Sequence, residues 1–277
     1  MNGTPISAID SQTGVANASN FVDFFTTLGD VPGAVIETTD CFVRLMAPVP
    51  HPFFNFVHSL DSQACSHDLV AAVDKALAPF RARQWRMMWI VFPALDPRGE
   101  ELAACLTAAG LRLFAGYPGM TIDLTALASE WQLPTDLSIE RVTTAQAMRN
   151  WVEVQAACDG GAHQHIKEAR VHYASLRGFD LGNHQQTYLA RYHGQPAGCS
   201  ILHVAAGVAG VYQVDTLPEA RGHGIGRAMT THAMLEGKTR GCDIGGLHAT
   251  PMGLNLYRSI CFVQHPPVNL FFFLPSR

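Results

Sequence analysis

Residues 221–226, with the sequence RGHGIG, carry three alternating glycines where a helix is predicted to begin. An apolar, strand-like run at residues 208–214 precedes them. The apolar residues that follow recur at spacings of three and four, as on the buried face of a helix: Ile225, Ala228, Met229, Ala233 and Met234. Glycines let backbone N–H groups approach a ligand closely, and the start of a helix favours an anion. The segment therefore predicts a strand, a phosphate-binding loop and a helix.

Two nucleotide-binding patterns fit this loop weakly. A Walker A loop requires Lys and then Ser or Thr after its last glycine, but Arg227 and Ala228 stand there. A dinucleotide-binding turn requires G-x-G-x-x-G directly after the strand, whereas this loop reads G-x-G-x-G and residues 215–220 separate it from the strand. Asp243 lies near the distance expected of a ribose-binding acid, but it precedes a strand instead of ending one.

The loop resembles the acetyl-CoA loop of the GNAT superfamily of N-acetyltransferases, Arg/Gln-x-x-Gly-x-Gly/Ala. Arg221, Gly224 and Gly226 fill its three defined positions. Residues 256–262, LYRSICF, resemble the family's L-Y-x-x-x-G-F ending, with Cys261 where glycine is usual. A predicted strand at residues 244–249 separates the two motifs. The resemblance covers about the last half of the chain, from near residue 137.

The resemblance implies a fold of the α/β (α+β) class, with a mixed, mostly antiparallel twisted sheet flanked by helices. Residues 131–277 would form the acetyl-CoA-binding GNAT domain, preceded by a smaller α/β domain at residues 1–130. Acetyl-CoA would be the co-substrate, with no metal. The implied cofactor contacts lie at the end of the strand and in the loop: Val214, Thr216, Arg221, Gly222, His223, Gly224, Ile225, Gly226 and Arg227. The strand at residues 211–216 would splay from its neighbour.

Tyr257 matches the family's tyrosine that protonates the departing thiolate, and it is the predicted catalytic residue. A phenol has an ordinary pKa of about 10 and therefore remains a proton donor at neutral pH. No base for the amine is assigned, although Asp215, Tyr212 and Gln213 lie near the strand end. Histidines that could line the acceptor pocket follow Cys158 and Asp159: His163, His165 and His172. Their spacing fits no zinc pattern.

The first half of the chain predicts a similar but degenerate arrangement. Its predicted elements are a loose lead-in (1–20), a short helix (21–28), a strand (34–46), a helix (66–80), a strand (85–92), a helix (97–109) and two strands (111–115 and 120–124). Gly110-Leu111 and Cys261-Phe262 each end a helix before an apolar strand, which suggests a faint internal repeat. Residues 60–83 hold no glycine cluster, so this half would lack a cofactor loop. A polar linker is predicted at residues 129–136.

Composition bounds the remaining possibilities. The chain has 277 residues, of which 48% are hydrophobic and 15% charged, so a folded globular protein is expected. The formal net charge of −4 gives no general attraction to nucleic acid or to an anionic membrane. Seven scattered cysteines without a C-x-x-C argue against a disulfide framework and for a reducing cytoplasm, and the first 14 residues do not read as a secretory signal.

The predicted function is acetyl transfer from acetyl-CoA to a primary amine by direct attack, with the N-terminal domain helping to build the acceptor site. The acceptor would be a small molecule or a peptide, and the protein a monomer or homodimer. Two alternatives stay open. One is a non-catalytic module that binds or senses acyl-CoA, and the other is a nucleotide-binding protein of the Rossmann kind.

Overall fold

The computed structural model describes residues 6–275 except for 31–32, 40, 50, 60–64, 66–67, 129–130 and 159–183. The first half of the chain contains α1 (Ile6–Thr26), β1 (Val35–Thr38), β2 (Phe42–Met46), β3 (Asn55–Ser59), α2 (Leu69–Arg83), β4 (Met87–Val91), α3 (Gly99–Ala108) and β5 (Arg112–Asp123). The second half contains β6 (Leu137–Arg141), α4 (Ala145–Cys158), β7 (Gln185–Tyr192), β8 (Gln195–Ala205), β9 (Val208–Thr216), α5 (Ile225–Thr239), β10 (Ile244–His248), α6 (Leu254–Ser259) and β11 (Val263–Phe273). The histidines predicted to line the acceptor pocket lie outside the described residues.

The chain divides into two compact units, and neither is one continuous segment. Unit 1 consists of residues 1–21 and 120–264, and unit 2 of residues 22–119 and 265–277. The compact units therefore differ from the predicted domains at 1–130 and 131–277 in the start and the end of the chain and in residues 120–130, which belong to unit 1. The reason is tertiary, because long-range contacts of the first helix and the last strand determine where they belong, and no local pattern reports such contacts.

Both units contain a mixed, mostly antiparallel sheet, as predicted. In unit 2 the strand order is β1-β2-β3-β4-β11-β5, and β3 and β4 are the parallel pair. In unit 1 the order is β5-β10-β9-β8-β7-β6, and β9 and β10 are the parallel pair. Each parallel pair is joined through one helix, α2 or α5. The elements from β1 to β5 and those from β7 to β11 thus follow the same order, β-β-β-α-β-α-β, which agrees with the internal repeat.

Helix α5 covers one face of the unit 1 sheet. Its apolar residues, including Ala228 and Met229, form a core with Leu202 of β8, Val211 of β9 and Leu247 of β10. Gly198 of β8 makes this approach possible, because a Cβ there would lie 2.7 Å from Cγ2 of Ile225. This packing fixes the start of α5, and with it the glycine loop, against the sheet.

Three expectations for the first half need correction. Residues 6–20 are not a loose lead-in, because α1 begins at Ile6 and continues to Thr26. Its small and polar residues give a weak helical period, so packing on the sheet stabilises it. The two strands predicted at 111–115 and 120–124 are one strand, β5. Cys41 and Cys65 form a disulfide, contrary to the expectation of free thiols, because the fold of unit 2 brings them together.

Candidate functional site

The glycine loop connects β9 to α5 and presents backbone N–H groups. Gly222 and Gly224 adopt the left-handed region, with φ of 84° and 77°, which favours glycine. Ala228 N donates to Gly224 O at 2.9 Å, the first bond of the helix. Among the described residues, the N–H groups of residues 222–227 donate to no backbone carbonyl. In proteins generally, such donors at a helix N-terminus favour an anion.

The polar side chains of the loop contact its two ends. Arg221 Nε donates to Thr216 O at 3.3 Å. Arg227 Nη2 donates to the carbonyl oxygen and Oγ of Ser259, at 3.0 and 3.1 Å. His223 Nδ1 lies 3.3 Å from Ala220 O. Arg221 therefore ties the loop to β9, whereas Arg227 ties the first turn of α5 to α6.

Strands β9 and β10 separate after three residue pairs. Val208, Ala209 and Gly210 pair with Ile244, Gly245 and Gly246, and no described pair follows. Strand β9 nevertheless continues to Thr216, still paired with β8. The structure thus contains the splay that the resemblance implied, and its open side is next to Val214 and Thr216.

A β-bulge changes the direction of the side chains at the end of β9. Gln213 has φ of 52°, unusual for a residue with a side chain, and the register with β8 shifts between Cys199 and Ile201. Val214 packs on the α5 side of the sheet. Asp215 lies opposite Cys199, and its Oδ2 is 3.9 Å from Cys199 Sγ. The bulge therefore places a carboxylate near the splay.

Tyr257 lies in α6 and is buried, with 8% of its surface exposed. Its ring packs against Phe262 at 5.8 Å between centroids, and a Cβ on Gly253 would lie 2.7 Å from it. Burial raises the pKa of Tyr257 well above its ordinary value, and the negative charge of Asp215 raises it further. The fold therefore brings Asp215 and the predicted catalytic phenol into one electrostatic environment, which the sequence alone did not indicate.

Cys261 closes α6 in the conformation that glycine usually adopts. Its φ is 69°, and Phe262 N donates to Tyr257 O at 3.1 Å. A residue with positive φ after a helix is typical of a helix C-terminus, where glycine is strongly preferred. The substitution in the second motif therefore keeps the backbone geometry of that motif.

The model of the acetyltransferase (GNAT) family matches residues 147–257, which include the glycine loop and Tyr257. Residues 147–257 resemble a GNAT domain. This match supports acyl transfer as the general kind of chemistry. The Rossmann alternative is contradicted, because the sheets are mixed and mostly antiparallel. No protein of curated function matches the sequence.

Solved structures share the fold over most of the chain. A GCN5-related N-acetyltransferase from Kribbella flavida has a TM-score of 0.66 at 17% identity, covering 94% of this chain and 93% of its own. A GCN5-related N-acetyltransferase from Sphaerobacter thermophilus has a TM-score of 0.60 at 15% identity, covering 86% of this chain and 81% of its own. A tandem GNAT protein from the clavulanic acid biosynthesis pathway has a TM-score of 0.58 at 14% identity, covering 89% of this chain and 85% of its own. At such identities these GNAT structures show a common fold.

Two further observations concern metal binding and membrane insertion. Within the described residues, no group of three His, Cys, Asp or Glu side chains could hold a metal ion. Likewise, no helix in the described part of the chain has both the length and the apolar character needed to cross a membrane.

Proposed function

We propose that the protein is an acetyl-CoA-dependent N-acetyltransferase that acts on a primary amine. The observation that carries the proposal is the set of N–H groups at residues 222–227, which donate to no described backbone carbonyl, next to the splay of β9 and β10. Such donors at a helix N-terminus fit a pyrophosphate, and the open side of β9 fits an extended amide-containing chain. Coenzyme A has both parts.

The loop fits a phosphate sterically as well as electrostatically. A Cβ on Gly222 would meet nothing within 4 Å, so space is open there, and Gly222 and Gly224 both need positive φ. A Cβ on Gly226 would lie 3.2 Å from Leu256, which limits this position to glycine or a small residue. Each charge-assisted hydrogen bond to a phosphate is worth roughly 1.5–3 kcal/mol. Several such bonds from one loop give a large share of the affinity for the cofactor.

The cofactor supplies the acetyl thioester. The amine nitrogen forms a bond to the acetyl carbon, and the carbon–sulfur bond breaks. Tyr257 donates its phenolic proton to the sulfur, and it recovers a proton from solvent. We assign the proton lost by the amine to Asp215, whose carboxylate lies at the end of β9 and whose negative charge raises the pKa of Tyr257. Asp215 then releases this proton to solvent. No cysteine or serine is required as a nucleophile.

Calorimetry with acetyl-CoA, followed by a screen of primary amines for release of coenzyme A, tests the proposal. We expect the parent protein to bind acetyl-CoA and Gly224→Val to bind it at least about 100-fold more weakly, because valine is strained at positive φ and blocks access to several phosphate donors. Thr239→Val, at the far end of α5, is the control and should bind like the parent. Equal binding by folded Gly224→Val would refute the phosphate site.

The screen also distinguishes an acetyltransferase from a module that only senses acyl-CoA. A module that only senses acyl-CoA would bind acetyl-CoA but release no coenzyme A with any amine. Turnover with one class of amine, whether polyamine, amino sugar or peptide amine, would support the enzyme and identify the acceptor class. We propose a small-molecule or peptide amine as acceptor; a cytoplasmic location stays a prediction.

A further inference from the structure

Within unit 1, helix α1 packs on the sheet through two buried asparagines. Asn17 and Asn20 are 1% and 0% exposed, and they lie about one turn apart on the same face of α1. Asn20 Nδ2 lies 3.2, 3.0 and 2.9 Å from the carbonyl oxygens of His203, Ala205 and Val208. These carbonyls surround the turn between β8 and β9. One side chain of α1 therefore holds the start of β9.

The oxygen of the same Asn20 amide contacts a residue farther along β9. The hydroxyl of Tyr212 donates to Asn20 Oδ1 at 2.5 Å, and the two residues are 192 positions apart in the sequence. Both are buried. The oxygen of the amide accepts from the phenol while its nitrogen donates to carbonyls, so neither an acid nor an apolar residue can make both sets of contacts.

Tyr212 lies at the point where β9 changes course. The last pair with β10 is Gly210 with Gly246, and the bulge at Gln213 follows Tyr212 directly. Phe21 of α1 lies 6.1 Å from the Tyr212 ring and 4.3 Å from the His248 ring at the end of β10. Phe21 therefore contacts both strands just beyond their last pair.

We propose that Asn20 is a positioning residue for acyl transfer. It holds Tyr212, Tyr212 fixes the bulge, and the bulge determines where Asp215 lies relative to Tyr257. The inference rests on the proposed function, and it assigns a role in that reaction to a helix at the opposite end of the sequence. The acetyl-CoA loop begins after Thr216, beyond this chain of contacts. Loss of the Asn20 contact should therefore impair turnover more than cofactor binding.

Tyr212→Phe and Asn20→Leu test this role. Tyr212→Phe removes only the hydroxyl, and Asn20→Leu removes all contacts of the amide at similar volume. We expect kcat to fall about 10- to 100-fold in both, since a small misplacement of reacting groups can have such an effect. The KM for acetyl-CoA should stay within about twofold, because the phosphate donors are untouched. The double variant should be no slower than Asn20→Leu, because both substitutions break one chain of contacts.

A control for stability is Met234→Ala, a cavity in the core of unit 1 away from the loop. It should lower the melting temperature but leave kcat unchanged at a temperature where every variant is folded. A parent-like kcat in folded Tyr212→Phe overturns the proposal, even if Asn20→Leu does not fold. If the parent acetylates no amine, the proposed function fails, and amide hydrogen exchange at residues 213–216 then decides only whether the contact of Asn20 with Tyr212 fixes the bulge. Faster exchange in Tyr212→Phe supports it, and unchanged exchange overturns it.

Discussion

Gly210 and Gly246 lie opposite each other as the last pair of the parallel strands β9 and β10, and the side chain of an asparagine from α1 covers each one. A Cβ on Gly210 would collide with Oδ1 of Asn20, and a Cβ on Gly246 with Oδ1 of Asn17. Because neither glycine has a side chain, α1 can pack closely at the point where β9 and β10 separate.

Gly210→Ala should destabilise unit 1 by displacing Asn20. The added methyl group would also lie 2.8 Å from the Tyr212 ring. We expect the free energy of unfolding to fall by about 1–3 kcal/mol, the usual range for an overpacked site. Denaturant titration measures this effect. The double variant Gly210→Ala with Asn20→Ala should lose less than the sum of the two single variants, because the collision with Asn20 is gone. Additive losses would show that the two residues are not coupled.

Tyr257→Phe should reduce turnover while the fold and the affinity for acetyl-CoA persist. Phenylalanine keeps the packing on Phe262 but has no proton to donate, and loss of a general acid typically lowers rates roughly 10²–10⁴-fold. The matched control is Tyr188→Phe. Tyr188 is also buried, its pKa is raised to about 12 by burial, and its hydroxyl donates to Gln186 in β7. Equal turnover in both variants would show that Tyr257 contributes only to packing and that water protonates the thiolate.

Cys261→Gly should be more stable than Cys261→Ala. Cys261 and alanine both carry a Cβ at φ of 69°, a conformation that costs roughly 1 kcal/mol or more for residues other than glycine. Glycine removes that strain but gains entropy in the unfolded chain, which offsets part of the benefit. We expect the difference in free energy of unfolding to be about 0.5–1 kcal/mol, measured by denaturant titration. A less stable glycine variant would show that this backbone is not strained.

Stability should decrease below about pH 6.5 because of two histidines. Burial lowers the pKa of His58 and of His232 below the ordinary value of 6.5. As the pH falls below 6.5, the unfolded chain binds protons at these residues before the folded one does, so acid favours unfolding. The slope is at most about 1.4 kcal/mol for each pH unit and each histidine. Urea titrations from pH 7.5 to 5 on the parent and on His58→Gln with His232→Gln measure it. An unchanged slope in the double variant would exclude these two residues as the cause.

Local physical chemistry explains why the glycine loop could be predicted from the sequence. The glycines at 222, 224 and 226 begin a helix whose apolar residues repeat with its period, so the strand, loop and helix follow from nearest neighbours in the chain. Tyr257 was predicted as the proton donor because a short sequence motif contains it. The bulge at Gln213 had no such signal, because backbone strain at one residue depends on the strands around it.

Tertiary structure alone decided the composition of the two units and the contacts of α1. A helix of small and polar residues such as α1 has little intrinsic stability, and its asparagines would ordinarily mark a loop. It is ordered where Asn20 meets three carbonyls and Tyr212, contacts that span more than 180 residues. The pairing of Cys41 with Cys65 has the same origin. Sequence periodicity reports which face of an element is buried, but only the folded chain determines which distant element covers it.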